Sequence, residues 1–176
     1  MKKKEQKNGF TIVEVSLVLA IAGLIFLMIF VALPALQKSQ RDARRRDDVG
    51  KLLTALQKYQ TNNRGALPSG NGVAPSSDLK DWTSFYKSFL GSDFKDPSGQ
   101  AYKLKIVDCG GNIAKKVCPN GNEVNDASAS FENSDYTMHI VRSATCNASK
   151  AVVSSNPRKV AVLYKMEGAG AYCANM

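Results

Sequence analysis

The chain has 176 residues, of which 44% are hydrophobic and 22% are charged, and this balance excludes a wholly disordered or a collagen-like chain. Lys and Arg number 24 against 15 Asp and Glu, so the net charge of +9 raises the question of a nucleic-acid partner. A single His argues against histidine-based metal or acid–base chemistry. The four Cys fit two disulfides on a small exported domain.

The positive charge is spread along the chain rather than gathered in one patch. Residues 1–9 carry +3, residues 37–62 carry +4 and residues 63–176 carry +3. Residues 10–36 carry −1, because Glu14 is their single charged side chain. The distribution gives little support to a nucleic-acid site, and it draws attention to the one acid in an otherwise apolar segment.

An uncharged stretch of 19 residues runs from residue 15 to residue 33. A helix of about 20 apolar residues spans a bilayer core, whereas the apolar part of a secretory signal peptide has about 7–15 residues. Ala20 and Ala22 have the spacing of a signal-peptidase site, but they lie inside the stretch rather than after it. We therefore expect a retained membrane anchor. Bases flank both ends, but all four Cys follow the stretch, which favours an oxidising compartment on that side.

Glu14 lies at the entrance to this stretch, where a carboxylate is costly unless it is paired or reaches the membrane interface. The residues alone leave two interpretations open. Either Glu14 reaches the interface, or it pairs with a specific cation on another chain.

The N-terminal motif resembles that of type IV prepilins. It reads GFTIVE at residues 9–14, after a short Lys-rich leader and before the apolar stretch. The resemblance implies that a prepilin peptidase cleaves between Gly9 and Phe10, that the new Phe10 amine is N-methylated, and that the apolar helix stays on the mature chain. In a fibre, the Phe10 amine of an incoming subunit would neutralise Glu14 of its neighbour, since such a pair is far stronger in apolar surroundings than in water.

The helix is expected to continue beyond the membrane to residue 62. Residues 37–62 contain no Pro and a single Gly, and their apolar side chains recur at helical spacing. This stripe consists of Val49, Leu52, Leu53, Leu56 and Tyr59. It resembles the C-terminal half of the long pilin helix, which packs under a sheet. Pro34 interrupts the helix, so we expect a kink or local unwinding at residues 30–34.

The segment 41–48 reads RDARRRDD and mixes bases with acids. A basic run can bind nucleic acid, but the interleaved acids favour a solvated helix face or ion pairs between subunits. Bases near the membrane exit can also contact lipid headgroups.

Residues 63–100 are expected to form a loop that contains one short helix. Its apolar residues at helical spacing are Leu79, Trp82, Phe85, Tyr86 and Phe89. Ser77 or Asp78 is the expected N-cap, and Gly91 is the expected end. We expect the apolar face to cover the core, and the alternative is an exposed aromatic surface for adhesion.

The sequence DPSG at residues 96–99 favours a type I turn. Residues 94–102 resemble the Asp-Pro-x-Gly-x-x-Tyr turn that precedes the first strand in pilins and secretion pseudopilins. Three strands with alternating apolar residues follow within residues 101–167, which predicts an antiparallel sheet packed on the helix stripe. Their apolar positions are Tyr102, Leu104, Ile106, Tyr136, Met138, Ile140, Val160, Val162, Tyr164 and Met166. His139 lies on the opposite face, and we interpret it as an ordinary sheet residue.

The four cysteines, Cys109, Cys118, Cys146 and Cys173, allow three pairings. We favour Cys109–Cys118, which would close a hairpin after the first strand. We also favour Cys146–Cys173, which would hold the C-terminal tail to the sheet, as a C-terminal disulfide does in many pilins. Neither pair has the spacing of metal ligands.

Nothing in the sequence predicts catalysis, a cofactor or a metal. No Gly-rich phosphate loop, nucleophile elbow or His-Glu zinc motif occurs. Asp93, Asp96 and Asp108 are interpreted as scattered turn acids, with a calcium site as an unsupported alternative. The triplet NAS at residues 147–149 has the form of an N-glycosylation acceptor, a short pattern that is common by chance.

The expected fold class is α+β: a long N-terminal helix, half of it in the membrane, under a small antiparallel sheet. The expected segments are a cleaved leader (1–9), the membrane and assembly half of the helix (10–36), its amphipathic half (37–62), the loop with a short helix (63–100), the sheet (101–167) and a disulfide-held tail (168–176).

The resemblance implies a structural subunit rather than an enzyme. It would be stored as a single-pass precursor in the cytoplasmic membrane, cleaved, and polymerised into a type IV pilus outside the cell. The implied partners are further copies of the chain, the prepilin peptidase, an assembly ATPase, a platform protein and the membrane. Such fibres serve twitching motility, adhesion or DNA uptake, through contacts with surfaces or DNA. A type II secretion pseudopilin and an unrelated single-pass membrane protein with an external binding domain stay open as alternatives.

Overall fold

The structure is a computed structural model, and it describes residues 9–70, 72–108, 123–124, 136–168 and 170–176, with the backbone alone at positions 73, 108, 123 and 124. The chain divides into two compact units, one ending at Ser39 and the other beginning at Gln40. The helices are α1 (Ile12–Asn62) and α2 (Lys80–Phe85), and α2 runs into a π-helical turn (Tyr86–Leu90). The strands are β1 (Gly72–Ala74), β2 (Lys103–Asp108), β3 (Glu123–Val124), β4 (Thr137–Arg142), β5 (Ala144–Asn147), β6 (Lys150–Val153), β7 (Val160–Lys165) and β8 (Ala171–Asn175). The α+β class is confirmed.

The first unit consists of the N-terminal part of α1. The 51-residue helix α1 is long and apolar enough to cross a membrane. None of the residues in its most apolar segment is buried within the chain. Pro34 lies inside α1, and the residues on both sides of it are helical. The local unwinding expected at residues 30–34 is therefore absent from the described helix, while a kink there stays a prediction.

The second unit places α1 and α2 against a five-stranded sheet in the order β1-β2-β4-β7-β8. A second sheet of three strands has the order β3-β6-β5. The predicted helix stripe is buried as expected, because Val49, Leu52 and Leu56 are fully enclosed and Leu53 and Tyr59 pack partly against the same core. Each such side chain contributes about 1.5–3 kcal/mol when fully buried.

The direction of one strand pair differs from the expected antiparallel sheet. β2 and β4 are parallel, with Lys103 opposite Thr137, while the other pairs of the five-stranded sheet are antiparallel. Alternating apolar residues indicate which face of a strand is buried, but they say nothing about its direction. A parallel pair needs a crossover of about a dozen residues or more, and 28 residues separate β2 from β4, which end and begin at Asp108 and Thr137. The predicted hairpin and Cys109–Cys118 pair lie outside the described residues.

The start of α2 also differs from the prediction. Leu79 occupies the N-cap position and makes no side-chain cap, so the expected N-cap at Ser77 or Asp78 is wrong. The Ser76 amide instead donates to the Thr83 hydroxyl at 3.1 Å, and that hydroxyl donates to the Ser76 carbonyl at 2.9 Å. This two-way contact ties the first turn of α2 to the preceding loop.

The apolar face of α2 covers the core, as predicted. Trp82 and Phe85 are buried, and Phe89 packs partly against them. Gly91 ends the helical segment with φ of +76°, a left-handed conformation that favours glycine.

The C-terminal residues, expected as a tail held by a disulfide, form strand β8. A disulfide joins Cys146 of β5 to Cys173 of β8, with a Cα–Cα distance of 5.8 Å. The Cys146 amide also donates to the Asn175 side-chain oxygen at 3.2 Å. The expected pairing of these two cysteines is thus present, and it links the small sheet to the edge of the large one.

His139 is on the sheet face opposite the helices, as expected, but it is buried there. The small sheet covers part of this face and forms a second apolar cluster that contains Val141 and Leu163. Burial, with a smaller effect of the Lys105 charge, lowers the pKa of His139 from 6.5 to about 4. The fold therefore holds this imidazole in its neutral form at neutral pH.

We predict that the protein loses stability between pH 6.5 and about 4 through His139. Protonation favours the unfolded chain there, so the contribution of the neutral imidazole is complete above pH 6.5 and falls as the pH drops, by about 2–4 kcal/mol in total. Denaturant unfolding of the full chain in detergent, followed by the fluorescence of the buried Trp82, measures this dependence. His139→Gln should flatten the profile in this window, and an unchanged slope in that variant would contradict the assignment.

Candidate functional site

The predicted cleavage junction lies just outside the helix. Gly9 and Phe10 are not helical, and α1 begins two residues later, at Ile12. Both residues are exposed, and the Phe10 side chain is 89% accessible. The described part of the chain therefore leaves the Gly9–Phe10 peptide bond accessible to another protein.

Glu14 closes the N-terminus of α1 together with Thr11. The Thr11 amide and hydroxyl donate to one Glu14 carboxylate oxygen at 2.9 and 2.8 Å, and the Glu14 amide donates to the Thr11 hydroxyl at 3.3 Å. This reciprocal arrangement is a capping box, which satisfies two backbone N–H groups that the helix leaves unpaired. The spacing Thr-x-x-Glu is a recognisable sequence signal for it, and the sequence interpretation missed Thr11 as a partner of Glu14.

The capping box changes what Glu14 needs from its surroundings. A bare carboxylate beside an apolar helix is costly, but here one of its oxygens already accepts two hydrogen bonds from Thr11. Hydrogen bonds do not neutralise its charge, so a cation on another chain still has a favourable place to bind.

A second polar feature lies in the other unit, inside the globular fold. We call it the Arg45 cluster, and it consists of Arg41, Asp42, Arg45, Asp48, Asp96, Tyr102, Tyr164 and Glu167. Four of these residues come from α1, and the others come from the turn before β2, from β7 and from the chain just after β7. The cluster therefore joins segments that are distant in the sequence.

Arg45 is the centre of this cluster. Its guanidinium binds Asp96 with two hydrogen bonds, from Nε at 2.7 Å and from Nη2 at 3.2 Å. Nη1 lies 3.2 Å from Asp42 and 2.7 Å from Glu167. The Arg45 side chain is only 7% accessible, so its charge depends on these three carboxylates rather than on water.

Asp42 and Arg41 hold the chain that follows β7. The Asp42 carboxylate accepts hydrogen bonds from the amides of Glu167 and Gly168 at 2.9 and 3.0 Å. Arg41 binds the Glu167 carboxylate at 2.7 Å. One turn of α1 thus holds both the backbone and the Glu167 side chain of this short segment.

Two tyrosines complete the cluster on its buried side. The Tyr102 hydroxyl donates to Asp48 at 3.1 Å, and the Tyr164 hydroxyl donates to Asp96 at 3.2 Å. Their rings meet edge to face at 5.7 Å. Burial and the nearby carboxylates raise the pKa of both phenols well above the ordinary value, so both remain protonated donors.

Asp96 is held by the turn that the sequence predicted. The Gly99 amide donates to the Asp96 carbonyl at 2.7 Å, and the Ser98 amide donates to the Asp96 carboxylate at 2.9 Å. Burial works to raise the pKa of this carboxyl, but the hydrogen bonds from Arg45 and Ser98 outweigh it and hold the pKa below the usual value. Asp96 is therefore ionised at neutral pH.

These contacts correct two interpretations of the sequence. The segment 41–48 is not simply a solvated face, because Asp42, Arg45 and Asp48 are buried and bind partners within their own chain. Asp96 is not a scattered turn acid but a buried anchor. The charge pattern of the helix gave no signal of this, since its partners outside the helix lie 51 or more residues away.

The cluster shows no means of holding a metal. Arg45 occupies the space between the carboxylates, and no group of three or more His, Cys, Asp or Glu suited to a metal occurs in the part of the chain that the structure describes. Its chemistry is that of a saturated set of ion pairs and hydrogen bonds, which indicates a structural role.

Comparison with known proteins assigns no family to this chain. No protein-family model, no curated protein and no solved structure matches this chain.

We predict that Arg45→Met lowers the free energy of unfolding by about 3–5 kcal/mol, because it leaves Asp96 and Asp42 buried without their cation. Denaturant unfolding of the full chain in detergent, read from Trp82 fluorescence, measures the change. Arg44→Met is the matched control, since Arg44 is exposed on the same helix and should change stability by no more than about 0.5 kcal/mol. Equal losses in the two variants would show that the cluster does not stabilise the fold.

Proposed function

We propose that the protein is a structural subunit of a type IV pilus. In this proposal a prepilin peptidase cleaves the precursor between Gly9 and Phe10, the Phe10 amine is methylated, and the mature chain polymerises through α1. The single observation that supports it most is the exposed Gly9–Phe10 junction directly before a capped helix whose apolar half buries nothing within its own chain.

The apolar half of α1 needs a partner outside the chain. Its large apolar residues are exposed from Ile12 to Leu36, and Phe30 is 75% accessible. Contiguous apolar surface of this extent is not stable in water and indicates contact with a membrane or with other proteins. A pilus subunit uses both in turn, because the bilayer covers the helix during storage and neighbouring helices cover it in the fibre.

Glu14 would direct the docking step. The amine of an incoming subunit's Phe10 would bind the Glu14 carboxylate, whose other hydrogen bonds to Thr11 hold it at the helix end. The apolar surroundings strengthen the pair and penalise any register that leaves Glu14 without a cation. The capping box would thus present a fixed acceptor rather than a mobile side chain.

The remaining partners follow from the same proposal. An assembly ATPase and a platform protein would drive assembly, and the mature fibre would lie outside the cell, where it would serve twitching motility, adhesion or DNA uptake. The Cys146–Cys173 disulfide is consistent with an oxidising compartment for the globular unit.

A type II secretion pseudopilin is the second candidate. The turn at residues 96–99 fits a pseudopilin as well as a pilin, because both families share the motif that contains Asp96 and Tyr102, and both residues are fixed in the Arg45 cluster. A pseudopilin would undergo the same cleavage but would not form fibres on the cell surface.

We predict that the mature protein begins at a methylated Phe10. Mass spectrometry of the N-terminal peptide from the native host measures both the start and the methyl group. Gly9→Val should leave the leader attached, because a branched side chain replaces hydrogen at the cleaved bond. An intact Met1 on assembled material would contradict the proposal.

We also predict that Glu14→Ala inserts into the membrane and is cleaved but yields no fibres. Its helix loses the acceptor for the incoming amine, while the apolar surface that holds it in the bilayer is unchanged. Electron microscopy and the amount of protein sheared from the cell surface measure fibres, and the N-terminal peptide reports cleavage.

Ser16→Ala is the control for this experiment. Among the described residues, the Ser16 hydroxyl donates only to carbonyls of its own helix, at 2.6 Å to Ile12, so its loss should leave fibre yield unchanged. Normal fibres in Glu14→Ala would refute the docking role. A mature Phe10 start without surface fibres in the unmodified protein would favour the pseudopilin.

A further inference from the structure

One motif stands apart from the proposed assembly function. Asn147-Ala148-Ser149 is the only Asn-X-Ser/Thr triplet in the sequence whose middle residue is not Pro. Such a triplet can accept an N-linked sugar when it lies on the surface of an exported protein. The structure shows where it lies, which the sequence could not.

The triplet forms the tip of the hairpin between β5 and β6. Asn147 pairs with Lys150, so Ala148 and Ser149 are the two residues of the turn. Ala148 has φ of +53°, the left-handed conformation that tight two-residue hairpins require. The hairpin geometry therefore places Asn147 at the end of β5 and Ala148 and Ser149 in the turn beyond it.

The tip is free while the base of the hairpin is anchored. Asn147, Ala148 and Ser149 are exposed, and neither the side-chain amide of Asn147 nor the Ser149 hydroxyl hydrogen-bonds another group in the described parts of the chain. The base is fixed because Ala144 and Ala151 are buried and because Cys146 carries the disulfide to β8. A large group on Asn147 would thus displace no core contact.

We propose that Asn147 is a site of N-linked glycosylation. Nδ2 of Asn147 forms a bond to C1 of an oligosaccharide that is carried on a lipid pyrophosphate, the C1–oxygen bond to the pyrophosphate breaks, the lipid pyrophosphate leaves, and the amide gives up one proton to a base of the transferase. The lipid-linked donor and the transferase belong to the exporting membrane. The Ser149 hydroxyl, two residues on, completes the acceptor motif that the transferase recognises.

Asn156, another exposed asparagine among the described residues, lacks the motif. Asn156 is also exposed, but Pro157 and Arg158 follow it, and its side chain already accepts a hydrogen bond from the Arg158 amide at 2.9 Å. The proposal therefore predicts one modified asparagine rather than general modification of surface asparagines.

Trypsin isolates the site for mass spectrometry, because cleavage after Arg142 and Lys150 releases residues 143–150 as one peptide with a single Asn. The full-length protein is isolated from its native host, reduced, digested and analysed by mass spectrometry with fragmentation that retains side-chain adducts. We expect a sugar adduct assigned to residue 147. Asn147→Gln and Ser149→Ala should both lose it completely, and Ser149→Thr should keep it.

Two outcomes would overturn the proposal. One is an unmodified peptide 143–150 in the native protein, and the other is an adduct that survives in Asn147→Gln, which would place the sugar on a hydroxyl. An intact Cys146–Cys173 disulfide in each variant verifies that the hairpin has folded. The N-terminal peptide in the same digest reports the pilin-type cleavage separately, so the two proposals can fail independently.

Discussion

The ion pair between Arg45 and Asp96 is the interaction on which the globular unit depends. Taking a guanidinium and a carboxylate out of water costs several kcal/mol per ion, and only close geometry and further hydrogen bonds offset that cost. Both conditions are met, since Asp96 binds two guanidinium nitrogens and also accepts from Ser98 and Tyr164. Apolar packing by Val49, Leu52 and Leu56 is favourable in many relative orientations, whereas the ion pair forms in only one. It fixes which turn of α1 meets the strand-initiating turn.

The N-terminal half of the same helix differs, because no residue of its most apolar segment is buried within the described parts of its own chain. Its side chains are apolar and exposed, and its polar contacts are gathered at one end, where Thr11 and Glu14 cap the helix. The two parts of this continuous helix are therefore stabilised differently. From residue 40 onward the helix packs against its own chain, and before residue 40 it needs apolar surroundings outside the chain. This division is what a subunit needs if it is to be stored in a bilayer and later packed among copies.

Sequence reasoning succeeded where the signal was local. Val49, Leu52 and Leu56 repeat at helical spacing, and the turn at residues 96–99 carries its own Pro and Gly. It failed where a residue's role depends on a distant partner. His139 alternates like a solvent-facing residue, but a second sheet covers that face. The parallel β2–β4 pair was missed for the same reason, because alternation is identical in both directions.

Local patterns in the chain are enough to predict the long helix and its apolar stripe, the covering helix with Trp82 and Phe85, and the turn at Asp96, and they include the N-terminal motif behind the proposed function. These follow from periodicity, turn chemistry and the cost of a lone carboxylate, all of which act over a few residues. Three features become visible only in the folded chain: Arg45 binds Asp96 and Glu167, β2 and β4 run in parallel, and residues 147–149 form an exposed hairpin tip. Such features depend on which distant segments meet, and that is settled by burial of the whole core rather than by any local preference.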